Sequence, residues 1–151
     1  MKVLVQRVKK AACYLDHSLF SKIEGGLLLY VSFHHTDDAS LIPKMAHKVV
    51  NLRIFEDQAG KMNRSLIDVK GEILSISQFT LEASTAKGHR PSFTEALEPD
   101  KASLYYDYFN DALKKLAVPV KTGDFGGYMA IESINDGPVT VLLERRLSHD
   151  S

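Results

Sequence analysis

The sequence predicts one α+β domain over residues 1–151, with seven or eight strands and two helices. Three observations carry this reading. Short runs of β-branched and aromatic residues alternate with polar ones at a period of two, as in strands with one buried face. Two longer segments instead repeat apolar residues every three or four positions, as one face of a helix does. Strands joined by short turns, with only two helices among them, make the pairing mostly antiparallel.

In chain order, "KVLVQRV" alternates Val3 and Val5 with polar neighbours, and "AACYL", "LFSKI" and "GLLLYVSF" follow at short spacing, so the first third reads as a strand meander. Between Ala39 and Leu52 the period changes: Leu41, Ile42, Met45, Ala46, Val49 and Val50 form one apolar helix face. Asp37 or Asp38 is available as its N-cap, and Pro43 falls in or near the first turn, where a missing N–H costs least. "RIFED" and "EILSISQFT" read as strands flanking the turn "DQAG" and the loop "KMNRSLIDVKG". A second helix runs from Pro99 to Leu116, marked by Leu104, Tyr105, Tyr108, Phe109, Ala112, Leu113 and Leu116, with Pro99 suited to its first turn. "YMAIESI" and "PVTVLLE" read as a closing pair of strands around "NDGP".

Composition narrows the function classes. The 44% hydrophobic and 25% charged residues are globular averages, and 19 basic side chains balance 19 acidic ones, so no global field draws the chain to nucleic acid or membrane. Any RNA contact is therefore local. The single cysteine, Cys13, excludes an internal disulfide and a CxxC site, and reads as a small core residue in a reducing compartment. The polar residues within "MKVLVQRVKK" interrupt a signal-peptide core, and no run reaches the length of a membrane span, so a cytoplasmic location is expected.

Chemistry is harder to place. "SQFTL" (77–81) ends an apolar strand with two hydroxyls, an amide and a phenyl ring. In a regular strand Ser77 and Phe79 face one way and Gln78 and Thr80 the other. Either these groups satisfy strand-end backbone, or the strand delivers N–H groups and a hydroxyl to a pocket at the sheet's rim. No GxSxG elbow or triad motif accompanies the six histidines at 17, 34, 35, 47, 89 and 149. In "HHTDD" (34–38) adjacent histidines of an extended chain point to opposite sides, so no metal site is expected. "AKGHRPSF" (86–93) puts Lys87, His89 and Arg90 on a glycine-containing loop that is either solvated surface or reaches phosphates. For "NDGP" the base rate of X-Pro bonds favours trans.

Together, "NLRIFED", "GKMN", "SQFTL", "KGHRPSF" and "NDGPVT", in this order and spacing, resemble the D-aminoacyl-tRNA deacylase family, also called D-tyrosyl-tRNA deacylases, over essentially the whole chain. The resemblance implies a barrel-like β-structure with two main helices outside, assembled as a homodimer with active sites at the interface. It implies hydrolysis of the ester joining a D-amino acid to the 3′ end of tRNA, with clearance of mischarged glycyl-tRNA, as cytoplasmic proofreading without cofactor or metal.

It also assigns roles. Gly137 and Pro138 match a Gly-cisPro motif inserted into the partner's pocket, whose carbonyls read chirality and exclude an L side chain, and Arg7 matches the arginine bracing that loop. Ser77, Gln78, Phe79 and Thr80 match the opposite, catalytic wall, with an oxyanion hole from N–H groups near Phe79 and Thr80. The 2′-OH of the terminal adenosine helps activate water. Phe125, Met129 and Ala102 match the adenosine site, and Lys87 and Arg90 match tRNA contacts. His89 departs from the family, which usually has arginine there. Two rival readings are a non-catalytic tRNA-binding module and an esterase with Thr80 as nucleophile.

Overall fold

β1 (Lys2–Leu15) organises the molecule, because its fourteen residues pair with three other strands. In the computed structural model, which describes residues 1–147, its first half pairs antiparallel with β3 (Gly26–Ser32) and its second half with β2 (Ser18–Ile23). "KVLVQRV" and "AACYL" are thus one strand where two were expected, and Arg7 lies in its middle instead of near its end. A register irregularity near Lys9 reverses the parity. Val3 and Val5 enter one core, while Val8, Ala11 and Cys13 enter the other.

The other edge of β1 is covered along its length by β8 (Met129–Glu144). The expected pair of strands around "NDGP" is a single strand, because both halves find partners on β1 instead of on each other. Gln6 pairs with Thr140 and Val8 with Asn135, two steps on β1 against five on β8, so three extra residues loop out as a bulge. The Gly137–Pro138 peptide within it is cis, against the base-rate expectation and in accord with the resemblance.

Two pairings are parallel: β3 with β6 (Glu72–Ser77), and β6 with β7 (Val120–Thr122). Gly26 permits the first, since a Cβ there would lie 1.9 Å from the Glu72 carbonyl oxygen. The order β2-β1-β3-β6-β7 curls until its ends meet, where the Ser21 hydroxyl donates to Thr122 O at 2.8 Å, giving the nearly closed, barrel-like sheet. The pairing is thus mostly antiparallel, as expected, with these two parallel pairs making the sheet mixed.

Helices cover one face. α1 (Leu41–Asn51) buries all six of its predicted apolar positions. Ser40, not Asp37 or Asp38, occupies its N-cap position; Asp38 accepts from the Ser40 backbone, while Asp37 is buried against the Met1 ammonium at 2.5 Å. Inside the expected loop "KMNRSLIDVKG" lie β5 (Met62–Arg64), paired with β4 (Phe55–Glu56), and a one-turn helix α2 (Leu66–Val69) closed by a Ser65/Asp68 capping box. α3 (Pro99–Lys115) begins on Pro99 and buries Tyr105, Tyr106, Phe109 and Leu113, whereas Leu104 and Tyr108, assigned to its apolar face, stand exposed. Among the described residues no helix is long and apolar enough to cross a membrane.

Candidate functional site

β6 ends at Ser77, three residues earlier than the run of strand-formers suggests. Gln78 leaves the strand with its N–H donating to Val31 O at 2.8 Å, and Phe79–Glu82 then form a 3-10 turn. The first N–H groups of such a turn have no partner within it. Those of Phe79 and Thr80 donate to no group among the described residues.

The turn is pinned from beneath. Lys2 Nζ donates to Leu81 O at 3.1 Å and lies 3.2 Å from the carboxylate of Glu82, which is buried and also faces Arg146 at 3.6 Å. Two backbone-bound residues and a buried charge cluster therefore hold the turn at the end of β6.

Above it opens a cleft of about 560 Å³, lined by Ser77, Gln78 and Phe79, by Ala102 of α3, by Phe125 of the β7–β8 connection and by Met129 at the start of β8. Six residues matched from three distant motifs thus share one cavity. Phe93 also lines it, packed edge-on to Phe79 at 5.1 Å, as do the start of α3 and the fully exposed Tyr128. Sequence reasoning missed these three features. The charges of "KGHRPSF" draw the eye in the sequence, but it is its phenyl ring that reaches the cleft.

The walls are mostly apolar. Tyr106, buried behind them, donates its hydroxyl to Ser75 O at 2.6 Å and packs on Phe125 at 5.9 Å, tying α3 to β6; burial raises its phenol above the usual value of 10.0. Glu98 at the rim uses its carboxylate to cap α3, accepting from Lys101 N at 2.8 Å.

The Thr80 hydroxyl, exposed, accepts from the Gln78 side-chain amide, and no histidine, lysine or carboxylate among the described residues hydrogen-bonds to it. Lys87 and Arg90 are not in the cleft. They stand exposed on the loop whose base is closed by reciprocal 2.8 Å bonds between Ser84 and Ser92, and whose end carries Phe93.

Gly137 and Pro138 are exposed and also lie outside their own chain's cleft. Their bulge is built from within: Arg7, 5% exposed, donates from Nε to Asp136 O at 2.9 Å and from Nη1 to the buried Ile54 O at 2.8 Å, and Asn135 Oδ1 accepts from Val139 N. Gly137 has φ +136, and a Cβ there would sit 3.1 Å from Arg7 Nη2 and 2.8 Å from a Val139 methyl. The closeness admits only glycine.

His34 and His35 overturn the expectation of opposed rings. The chain bends after β3, the rings stack at 4.3 Å, and both Nε2 atoms face Glu95. His149 lies outside the described residues. Cys13 is a buried free thiol, as expected.

The profile of the D-Tyr-tRNA(Tyr) deacylase family matches residues 4–144. A D-aminoacyl-tRNA deacylase of Thermomicrobium roseum is 52% identical over 95% of this chain and 94% of its own, and one of Bacillus cereus is 47% identical over 97% and 100%. Among solved structures, the "c-Myc DNA Unwinding Element Binding Protein" aligns with TM-score 0.92 at 38% identity, over 97% of this chain and 99% of that one. A structure described as "a probable eukaryotic D-amino acid tRNA deacylase" aligns with TM-score 0.81 at 16% identity, covering 94% and 97%, a likeness of fold.

Proposed function

The chain belongs to the D-Tyr-tRNA(Tyr) deacylase family, and from that premise we propose that it hydrolyses D-aminoacyl-tRNA. The bond cut is the ester between the D-amino acid and the 3′-terminal adenosine; mischarged glycyl-tRNA is cleared as well. The protein works in the cytoplasm as a homodimer with active sites at the interface. The observation that supports this most is the cleft joining Ser77, Gln78 and Phe79 to Phe125, Met129 and Ala102, beside two N–H groups with no partner among the described residues.

The adenosine occupies the side of Phe125, Met129 and Ala102, with Lys87 and Arg90 on phosphates outside. The ester carbonyl lies at the turn, where the N–H groups of Phe79 and Thr80 stabilise the oxyanion; one such donor is commonly worth about 2.7–4 kcal/mol. Water, activated with help from the vicinal 2′-OH, adds to the carbonyl, and the 3′-oxygen leaves with a proton. Thr80 is not the nucleophile: its hydroxyl is partnered by an amide, and no base among the described residues hydrogen-bonds to it. Gly137 and Pro138 of one protomer enter the partner's cleft, where main-chain carbonyls meet the α-amino group and leave no room for an L side chain. Their exposure outside their own cleft suits that cross-subunit role.

A nucleic-acid-binding module without turnover is the second reading, favoured by the name of the 38%-identical neighbour. Incubation of D-Tyr-tRNA and L-Tyr-tRNA with wild type and Thr80→Ala separates the readings. Turnover of the D-form alone by both proteins is expected. Loss confined to a folded Thr80→Ala would restore the nucleophile, and binding without any turnover would establish the module. A tRNA ending in 2′-deoxyadenosine deacylated at full rate would refute the assistance by RNA.

A further inference from the structure

The stacked histidines are chemistry that the cleft does not use. They sit where two segments distant in sequence are locked by main-chain bonds: His35 N donates to Glu95 O at 2.9 Å, Leu97 N to Phe33 O at 3.0 Å, and His34 pairs with Ala96 in an isolated antiparallel bridge. The side chains then converge. Glu95 Oε2 lies 2.8 Å from His34 Nε2 and 3.4 Å from His35 Nε2, and the donor atoms of all three residues fall within 4.8 Å of one another.

From this the geometry points to a binding site for a divalent transition-metal ion of the zinc class, ligated by His34, His35 and Glu95. Two imidazoles and a carboxylate are the donor set such ions take, and hard cations such as magnesium do not. With metal–ligand bonds of about 2.0–2.2 Å, the edges of a tetrahedral site measure roughly 3.3–3.5 Å. The His35–Glu95 separation of 3.4 Å already falls in that range, and the 2.8 Å His34–Glu95 hydrogen bond has to open by about half an ångström, which side-chain tilts supply, to admit the ion.

The surroundings fit as well. His34 Nδ1 lies 2.7 Å from the Thr36 hydroxyl and accepts from the Thr36 N–H at 3.2 Å, so without an ion Nε2 carries the ring proton and donates it to Glu95; an ion takes the Nε2 position once the ring proton shifts to Nδ1, where the Thr36 hydroxyl accepts it as the outer partner of the ligating histidine. The side chains of His35 and Glu95 are 52% and 49% exposed, which gives an ion a way in and leaves a fourth position for water. An ion there clasps the segment carrying Phe93, Ala96 and Leu97 to the end of β3, and so stiffens one wall of the cleft.

The inference stands apart from the proposed activity and is tested without it. Co²⁺ and Zn²⁺ alone are titrated into the full chain, followed by cobalt visible absorption and by calorimetry, with His35→Ala and Glu95→Gln in parallel. One ion per chain is expected, with low-coordinate cobalt absorption, a melting temperature raised by Zn²⁺, and affinity in each variant lower by at least the roughly tenfold that loss of even an outer partner costs. Both substituted positions are half exposed, so the variants fold, and unchanged melting without metal verifies it. Undiminished binding in the variants would locate the ion at other histidines, an adventitious ion only, and would overturn the site. So would a wild type that binds neither metal.

Discussion

Replacing Arg7 by leucine tests the idea that a buried guanidinium holds the 135–139 bulge in place. The side chain is 5% exposed and donates to Asp136 O at 2.9 Å and Ile54 O at 2.8 Å, with the Asp136 and Glu56 carboxylates at 3.8 and 3.9 Å. A hydrogen bond from a charged donor contributes about 1.5–3 kcal/mol, so two set a ceiling near ~6 kcal/mol. The bulge is partly exposed, however, and water can replace the donor at Asp136. The Ile54 carbonyl belongs to a buried residue and loses its donor outright, at a cost of about 1–3 kcal/mol. Arg7→Leu is therefore expected to destabilise by about 3 kcal/mol, which for a chain this size lowers Tm by roughly 6–12 °C. Lysine, with one compact ammonium, reaches one carbonyl and should lose about half as much. Urea unfolding at constant m gives the stability, and initial rates on D-Tyr-tRNA well below both melting temperatures give the effect on the bulge. The expected order in kcat/KM is arginine above lysine above leucine. A leucine variant within about 0.5 kcal/mol of wild type, or one fully active, would refute the bracing role.

Tyr106→Phe removes the 2.6 Å bond to Ser75 O in a buried setting and should cost about 1 kcal/mol in urea midpoint without changing m. In the Ser65/Asp68 capping box, the Ser65 backbone N–H first and its hydroxyl second hold the Asp68 carboxyl below its ordinary 3.8. A depressed folded-state value makes the contribution complete above the ordinary 3.8 and loses it as the pH falls through the depressed value, so the stability gap between wild type and Asp68→Ala should narrow progressively as the pH is lowered below 3.8. A gap independent of pH would dismiss the ionic part. Gly137→Ala forces a Cβ against Arg7 and Val139 at a φ that alanine resists, so lowered D-Tyr-tRNA turnover is expected; unchanged turnover would show that the bulge has room.

Local patterns were enough for α1, α3 and most strands, though not for the one-turn α2. The three-to-four spacing of Leu41 to Val50 is a property of adjacent residues, and the structure buries all six. Pro99 likewise marks its own helix start. The motif "SQFTL" was legible as polarity misplaced on a strand, and the family resemblance supplied candidate roles for its residues.

Tertiary structure decided what depends on distant partners. Whether "NDGP" turns the chain back or bulges from a continuous strand is settled by β1, more than a hundred residues away, which offers both halves a better partner than each other. The parallel pairing of β6 with β3 and β7 leaves no local mark, since a doubly buried strand has no alternation to reveal its neighbours. The cleft joins segments near 77, 102 and 125, and the histidine pair faces Glu95 only because main-chain bonds carry 34 and 96 together. A sequence records the residue types available for chemistry; their meeting in one cavity is set by the closure of the sheet.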